Sequence, residues 1–230
     1  MKRALAILLV PALALTALPV RTFAVINLGH KILLHVRAVT TENVCYGTNK
    51  PSCATINTHG NLAPGNFYYT YILVTDGDGV DGVCALQCGI SYGATTSVFR
   101  WTRCDDVDYL STGWPASGGG AMLTWDPWAH CQRTEPGGTG TGVVAVAGYF
   151  YMGAYANDVM SITPRPVDNL AAVADCHGLM SLVATGDPAT QWRLGKAGFG
   201  TGQGYSPCGL AQATPVQQST WGSVKSVMGQ

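Results

Sequence analysis

Residues 82–92 read GVCALQCGISY, a run in which every second side chain falls on the same face of an extended chain. Successive side chains of a β-strand point to opposite sides of the sheet, so this alternation predicts a strand with one buried face. The side chains that we expect on the buried face are Cys84, Leu86, Cys88, Ile90 and Tyr92.

The same period of two recurs on both sides of this run. Residues 67–75 (FYYTYILVT) are aromatic and β-branched, as half-buried strands prefer, and residues 31–39 carry apolar side chains at alternate positions. Further runs lie at residues 97–104, 121–125, 142–156, 159–163 and 171–174. Short strands separated by Gly, Pro, Asn and Asp are typical of antiparallel sandwiches. The sequence therefore predicts an all-β fold, an antiparallel β-sandwich of Ig-like or jelly-roll-like type, in one disulfide-bonded domain.

The first 24 residues have the composition of a secretory signal peptide. Lys2 and Arg3 precede a long apolar run, and residues 22–24 (TFA) offer small side chains at a cleavage site. A membrane anchor is the alternative, but two prolines interrupt the run, which only just reaches spanning length. We therefore expect cleavage after residue 24, a secreted or cell-surface location, and no membrane contact afterwards. The remaining chain divides into a domain at residues 25–210, a linker at 211–219 and a tail at 220–230.

Cleavage would leave a slightly acidic chain. Without Lys2, Arg3 and Arg21, 10 basic residues remain against 13 acidic ones, a net charge of −3. Proteins that bind nucleic acid need a basic face to neutralise the phosphate backbone. We therefore expect no nucleic-acid partner.

All eight cysteines lie beyond the predicted cleavage site, and an even number in an oxidising compartment predicts disulfides. Cysteines that are near in sequence are the simplest to join, which predicts the pairs Cys45–Cys53, Cys104–Cys131 and Cys176–Cys208. Cys84 and Cys88 lie four residues apart on one predicted strand, about 13 Å from each other and beyond disulfide reach. A bulge could bring these two together, they could pair elsewhere, or they could stay as buried thiols.

Residues 76–81 (DGDGVD) place three aspartates close together. Asp76, Asp78 and Asp81 could supply oxygen ligands to calcium, the one candidate cofactor. An EF-hand loop needs Gly at its sixth position and Glu at its twelfth, whereas this loop has Asp81 and Gln87 there. Because Asp-Gly pairs favour tight turns, a hairpin connection between two strands is the preferred interpretation.

A second acidic group contains Asp105, Asp106 and Asp108, followed by Asp126 and His130. Paired carboxylates are the groups that hydrolyse glycosidic bonds, so a glycoside hydrolase is one hypothesis. Acids clustered in a loop are more often solvated or capping residues, and no nucleophile–base motif accompanies them. The sequence favours a protein without catalytic activity.

Four tryptophans fall within residues 101–128. Tryptophan is mostly buried, and we expect Trp101 and Trp125 in the core. Trp114 and Trp128 each stand beside a proline in a predicted loop, which makes them the candidates for stacking on sugar rings.

Several stretches, among them GVCALQCGISY, GWPASGGGAMLTWD and GYFYMGAYANDVMSITPRPV, resemble a group of uncharacterised secreted bacterial proteins that share a cysteine-bearing β-sandwich. The aspartate loop and its following strand are also similar to cohesin-like domains, which are non-catalytic sandwich modules that bind partner proteins. The ending TWGSVK resembles a short tail of diverse secreted proteins. That resemblance implies a sorting or attachment role for Trp221, Gly222 and Lys225, with a packed terminal helix as the alternative.

These patterns together predict a secreted, non-catalytic binding or structural module at the cell surface or outside the cell. Its expected partner is an extracellular protein or a glycan. A carbohydrate-binding module that uses the loop tryptophans is the alternative, and a glycoside hydrolase that uses the loop aspartates is the third hypothesis.

Overall fold

The computed structural model describes residues 29–39, 45, 50–63, 65–77, 81–133 and 142–210. The predicted signal peptide, the linker at 211–219 and the tail with Trp221, Gly222 and Lys225 lie outside the described residues. Within the described ranges the chain forms strands joined by loops and two short 3₁₀ helices. No helix in this part of the chain is both long and apolar enough to cross a bilayer.

The strands fall at or near the positions that the alternating pattern predicts. Their bounds are β1 Lys31–Ala38, β2 His59–Gly60, β3 Tyr68–Thr75, β4 Ala85–Ser91, β5 Thr96–Arg103, β6 Val107–Leu110, β7 Gly120–Thr124, β8 Val143–Ala154, β9 Asp158–Thr163, β10 Leu170–Ala174, β11 Met180–Thr185 and β12 Lys196–Phe199. The 3₁₀ helices span Cys53–Thr55 and Pro188–Arg193.

Two sheets form the predicted β-sandwich. The smaller sheet has the order β1-β3-β8-β5, and every pairing in it is antiparallel. The larger sheet has the order β11-β10-β4-β9-β12-β2, with β7 paired to β4 and β6 paired to β7. The β12–β2 pair is parallel, while the other pairings of this sheet are antiparallel.

The core lies between the sheets because each contributes the alternate apolar side chains of its inner face. β4 contributes Leu86, Cys88 and Ile90, all at most 1% exposed, which confirms the centre of the face predicted from residues 82–92. The two ends of that face, Cys84 and Tyr92, are only partly buried. The smaller sheet contributes Ile72 and Phe150, among others, to the same cluster. Burial of these side chains, at about 25 cal/mol per Å² of apolar surface, is the main source of stability for such a fold.

The outer face of the smaller sheet carries a second apolar cluster. Tyr69, Tyr71 and Tyr149 are at most 6% exposed there and pack ring against ring, with centroids 5.2 Å (Tyr69–Tyr149) and 5.1 Å (Tyr71–Tyr149) apart. Cys104 and Cys208, which belong to two different disulfides, pack against this cluster. β3 is therefore buried on both faces, which explains why residues 67–75 are apolar almost throughout.

The predicted hairpin at residues 76–81 is wrong. β3 belongs to the smaller sheet and β4 to the larger one, so the aspartate loop carries the chain from one sheet to the other. The loop leaves β3 with Asp76 and Gly77 both at positive φ (59° and 80°), a conformation that Gly, Asn and Asp adopt most readily. The turn residues were thus recognised correctly, but a turn signal does not say which strands it joins.

The predicted disulfide pairs are also wrong. The structure joins Cys45 to Cys104, Cys53 to Cys208, and Cys131 to Cys176, with Cα–Cα distances of 5.4, 5.4 and 5.9 Å. Pairing by nearness in sequence fails because the sandwich brings together segments that are 59, 155 and 45 residues apart. Cys84 and Cys88 are free thiols, and Cys88 is fully buried in the core.

Candidate functional site

The aspartates predicted to bind calcium are held in different ways. Lys31 Nζ donates to Asp76 Oδ2 at 2.6 Å, and both side chains are less than 10% exposed. The backbone N–H of Gly209 donates to the same oxygen at 3.1 Å. Asp81 faces His177, with Oδ1 3.4 Å from Nε2, and Asp78 lies outside the described residues. Calcium binding by Asp76, Asp78 and Asp81 stays a prediction, and a cation bound through Asp76 Oδ2 would compete with Lys31 for that oxygen.

One group of three potential metal ligands occurs among the described residues, formed by Cys53, Asp76 and Cys208. Both sulfurs of this group belong to the Cys53–Cys208 disulfide, and a metal ion needs the thiolate form. This cluster therefore does not fit a metal ion.

The second acidic group is tied into the local structure. Asp106 lies 2.8 Å from Nδ1 of His130 and accepts a hydrogen bond from the backbone N–H of Asp126 at 2.6 Å. The hydrogen bond from Asp126 lowers the pKa of Asp106 most, and the one with His130 lowers it further. Asp108 pairs with Arg103 at 3.5 Å. Asp105 differs from them: it is 9% exposed, and its burial raises its pKa to about 6. Hydrolysis by these carboxylates stays a prediction.

The four tryptophans divide unevenly between core and surface. Trp125 is 4% exposed and donates from Nε1 to the carbonyl of Cys104 at 3.0 Å. Trp101 packs on Phe150 with ring centroids 4.8 Å apart, at the border of the core. Trp114 is partly buried, since its ring packs edge-on against Trp101 with centroids 5.4 Å apart, and sugar stacking by Trp114 stays a prediction. Trp128 is 94% exposed, in a turn where Asp126 accepts the N–H groups of residues 128 and 129.

A groove that sequence patterns did not indicate crosses the outer face of the larger sheet. Its floor is a row of directly opposed residues on neighbouring strands: Ser91 of β4 faces Ser161 of β9, and Ser161 faces Lys196 of β12. Tyr205 extends the row, because its backbone exchanges two hydrogen bonds of 2.9 Å with Lys196. Directly opposed side chains in a sheet lie on one face with Cβ atoms about 5 Å apart. The row therefore sets hydroxyl, ammonium and phenol groups side by side.

The 3₁₀ helix Pro188–Arg193 forms one wall of the groove. The Asp187 side chain begins this helix by accepting the N–H of Ala189 at 2.9 Å, and Pro188 occupies the first turn, where its missing N–H costs nothing. Tyr205 fastens the wall to the floor, since its phenol donates to the carbonyl of Trp192 at 2.8 Å.

Two nearly buried cations support the Trp192 ring. Arg193 Cζ lies 5.2 Å from the ring centroid and Lys31 Nζ lies 5.8 Å from it, and both residues are at most 6% exposed. Trp192 itself is partly exposed and lines the groove. Cation–π contacts of this kind are attractive, so the two side chains stabilise the ring in the wall.

We call this site the Trp192 groove. It is open to solvent, has a volume of about 760 Å³, and is lined by Ser91, Ser161, Ile162, Thr163, Pro188, Gln191, Trp192, Leu194, Lys196, Gln203, Gly204 and Tyr205. These residues include hydroxyls, primary amides, an indole, a phenol and one ammonium group, and none of them is Asp or Glu. Such a lining can form hydrogen bonds in both directions and can contact an apolar ring face.

Sequence reasoning missed this groove because its residues come from four separate segments and form no motif. The one available signal was the residue pair Gln191-Trp192, a tryptophan among polar residues outside any predicted strand. Trp192 resembles Trp114 and Trp128 in lying outside the predicted strands, but it lies far from the tryptophan-rich residues 101–128.

Two solved structures are similar to this chain at low sequence identity. The cohesin module from the family 33 glycoside hydrolase of Clostridium perfringens is 10% identical, with a TM-score of 0.39, and the match covers 74% of this chain and 97% of that chain. The structure of a type I cohesin–dockerin complex from Clostridium thermocellum, Coh-OlpC-Doc435, gives 9% identity, a TM-score of 0.37 and coverages of 73% and 94%. Likenesses at these TM-scores carry no argument about what the chain binds. No protein-family model matches the chain, and no curated protein matches it.

Proposed function

We propose that the chain is an extracellular, non-catalytic carbohydrate-binding module whose binding site is the Trp192 groove. The observation that carries this proposal is the lining of the groove, which combines Trp192 and Tyr205 with hydroxyl and amide side chains and contains no carboxylate. The proposal keeps the expected ligand class, a glycan, and moves its site from the loop tryptophans to the larger sheet.

A saccharide suits this lining for two physical reasons. Each sugar ring has an apolar face of C–H groups that can stack on an indole, and Trp192 is held in place for such a contact. Sugar hydroxyls both donate and accept hydrogen bonds, and so do the Ser161 hydroxyl and the Gln203 amide. A purely apolar ligand would leave these polar groups unpaired, at a cost of about 1–3 kcal/mol each.

The lining also supports binding without catalysis. Glycoside hydrolysis uses a pair of carboxyl groups on either side of the scissile bond. The acidic residues predicted for that role, Asp105, Asp106 and Asp108, are not among the residues that line the groove. A sugar held there would not meet these groups.

Three disulfides support an extracellular location, since such bonds persist in oxidising compartments and are rare in the cytosol. They hold Cys45, Cys53 and Cys131 to distant parts of the chain and leave the groove open. The predicted signal peptide at residues 1–24 agrees with this location.

A glycan array followed by titration calorimetry tests the proposal. We expect binding to at least one polysaccharide by the unmodified chain and by Trp128→Ala, with at least tenfold weaker binding by Trp192→Ala and by Gln203→Ala. Gln203 is exposed, so its variant separates loss of contact from loss of folding. An empty array, or full binding by both groove variants, would refute the proposal. Release of reducing ends from the bound polysaccharide would refute its non-catalytic part.

A protein partner is the second candidate, and exposed aromatic residues near β6 favour it. Tyr109 is 62% exposed and Val107 45% exposed on the same face of β6, and Trp128 follows β7, the strand that pairs with β6. Exposed Trp and Tyr side chains are common energetic centres of protein interfaces. In this case Trp128→Ala would abolish binding to an extracellular protein, whereas Trp192→Ala would retain it.

A further inference from the structure

We infer that the ligand of the Trp192 groove is an acidic saccharide, a sugar that carries a carboxylate such as a uronic acid. The inference rests on the proposed function and names the class of glycan. The juxtaposition that carries it is the ammonium group of Lys196 beside Ser161, within a lining that contains no acidic side chain.

Lys196 is the one charged residue that lines the groove. Its position is fixed by backbone hydrogen bonds to Tyr205, and it faces Ser161 directly across the sheet. Lys196 is exposed, and none of the ion pairs found among the described residues includes it. An ammonium group donates hydrogen bonds and accepts none, so it selects acceptor groups on a ligand.

The other charged groups near the groove belong to residues that already have partners. Arg193 lies beneath the Trp192 ring, and its guanidinium donates to the carbonyl of Leu182 at 3.3 Å. Lys31 lies near the same ring, but Asp76 neutralises it at 2.6 Å. The nearest acidic residue in sequence is Asp187, which caps the 3₁₀ helix and is not part of the lining. Lys196 is therefore the charged group that the lining offers to a ligand.

A carboxylate on the sugar fits the Lys196 and Ser161 side chains better than a neutral hydroxymethyl group does. It could accept from the Lys196 ammonium and from the hydroxyl of Ser161 at once, while its sugar ring rests on Trp192. Hydrogen bonds to charged groups are roughly twice as strong as those between neutral groups. A neutral sugar would leave Lys196 in solvent and lose that contribution.

The test compares sugars that differ only in charge. Tetrasaccharides of gluco, galacto and manno configuration are titrated by calorimetry, each as the hexose and as the corresponding uronic acid, at low and at high salt. We expect one uronic acid to bind about tenfold or more tightly than its neutral counterpart at low salt, with the difference reduced by salt.

Variants then locate the effect. Lys196→Gln should remove the preference for the acid, while Arg100→Gln, at an exposed basic residue of β5 outside the groove, should keep the preference. Equal affinities for acid and neutral forms would overturn this inference and leave the proposed function standing. Absence of binding to every sugar would overturn both, and a preference that survives Lys196→Gln would also overturn the inference.

Discussion

Two nearly buried aspartates, Asp76 and Asp105, differ in the charged groups that surround them. Asp76 is paired with Lys31 and also accepts a backbone N–H, so its charge is compensated. Asp105 is 9% exposed and lies near Asp108. Its burial and, to a smaller extent, the charge of Asp108 raise the pKa of Asp105 to about 6. Asp76 thus has a cation within hydrogen-bonding distance, whereas no ion pair among the described residues includes Asp105.

Asp105→Asn should therefore stabilise the protein at neutral pH. Between about pH 4 and 6 the native state keeps a proton that the unfolded chain has released, so ionisation of Asp105 lowers stability as pH rises through this interval. We expect a gain of about 1–2 kcal/mol at pH 7 that disappears below about pH 4, after allowance for partial solvent screening. Urea unfolding of the variant and the unmodified chain, at pH 7 and below about pH 4, measures this difference in the free energy of unfolding.

Asp81, which lies beside His177 at the surface, provides the control for this prediction. Asp81→Asn should change the free energy of unfolding little at either pH, because surface ion pairs contribute little. A loss of stability in Asp105→Asn at pH 7 would mean that the carboxylate makes favourable contacts in its ionised form, contrary to the pKa direction given above.

At the scale of elements, the join between the 3₁₀ helix and β12 depends on a close approach to β1. Gly195 donates to the carbonyl of Ile32 at 2.8 Å, and its carbonyl accepts from Ile162 at 3.1 Å. A Cβ atom on Gly195 would lie 2.7 Å from Cα of Leu33, closer than real contacts allow. Glycine at this position lets the edge strand of the smaller sheet touch the larger sheet.

Gly195→Ala should destabilise the protein by about 1–3 kcal/mol, the usual cost of overpacking against backbone. Because Gly195 precedes Lys196, we also expect weaker ligand binding by this variant. Thermal unfolding and the calorimetric titration measure the two effects. Gly153→Ala is the matched control in β8, where the atoms nearest to the added Cβ would belong to the side-chain rings of Phe67 at 3.3 Å and Phe99 at 3.6 Å. Equal stability of Gly195→Ala and the unmodified chain would contradict the close approach.

The sequence predicted strands where one face is buried and the alternation is regular. β6 was not predicted because its side chains are mostly exposed on both faces of the sheet. Val107, Tyr109 and Leu110 are all above 40% exposed, so the sequence shows no alternation there. β12 is only four residues long and contains Gly198, which weakens any pattern. The groove could not be predicted, because it exists only once the pairing of β4, β9 and β12 is fixed.

At the scale of the whole molecule, the three disulfides connect segments that the chain order keeps apart. The Cys53–Cys208 bond spans 155 residues, compared with 45 for Cys131–Cys176. In the chain-entropy account, a longer closed loop restricts the unfolded state more strongly. The pattern could not be deduced from spacing, because eight cysteines allow 105 pairings and the topology of the sheets selects among them.

Replacing both Cys53 and Cys208 by serine should lower the free energy of unfolding by roughly 5 kcal/mol, and replacing Cys131 and Cys176 should lower it by roughly 4 kcal/mol. Guanidinium unfolding under non-reducing conditions measures both. Cys84→Ser, at a free and partly exposed thiol, serves as the control and should cost much less. An unchanged stability in the Cys53/Cys208 variant would show that this bond does not form.

The Cys53–Cys208 bond also determines how the fold would respond to mechanical tension. Among the described strands, β2 to β12 lie inside the covalent loop that this bond closes, and β1 lies outside it. A force applied between residues 29 and 210 would pass from residue 208 directly to residue 53 through the sulfur atoms. The Cys45–Cys104 bond forms a second covalent path, since it ties the segment before residue 53 to the loop just after β5. β1 precedes both Cys45 and Cys53, so no disulfide shields its pairing with β3 from this force.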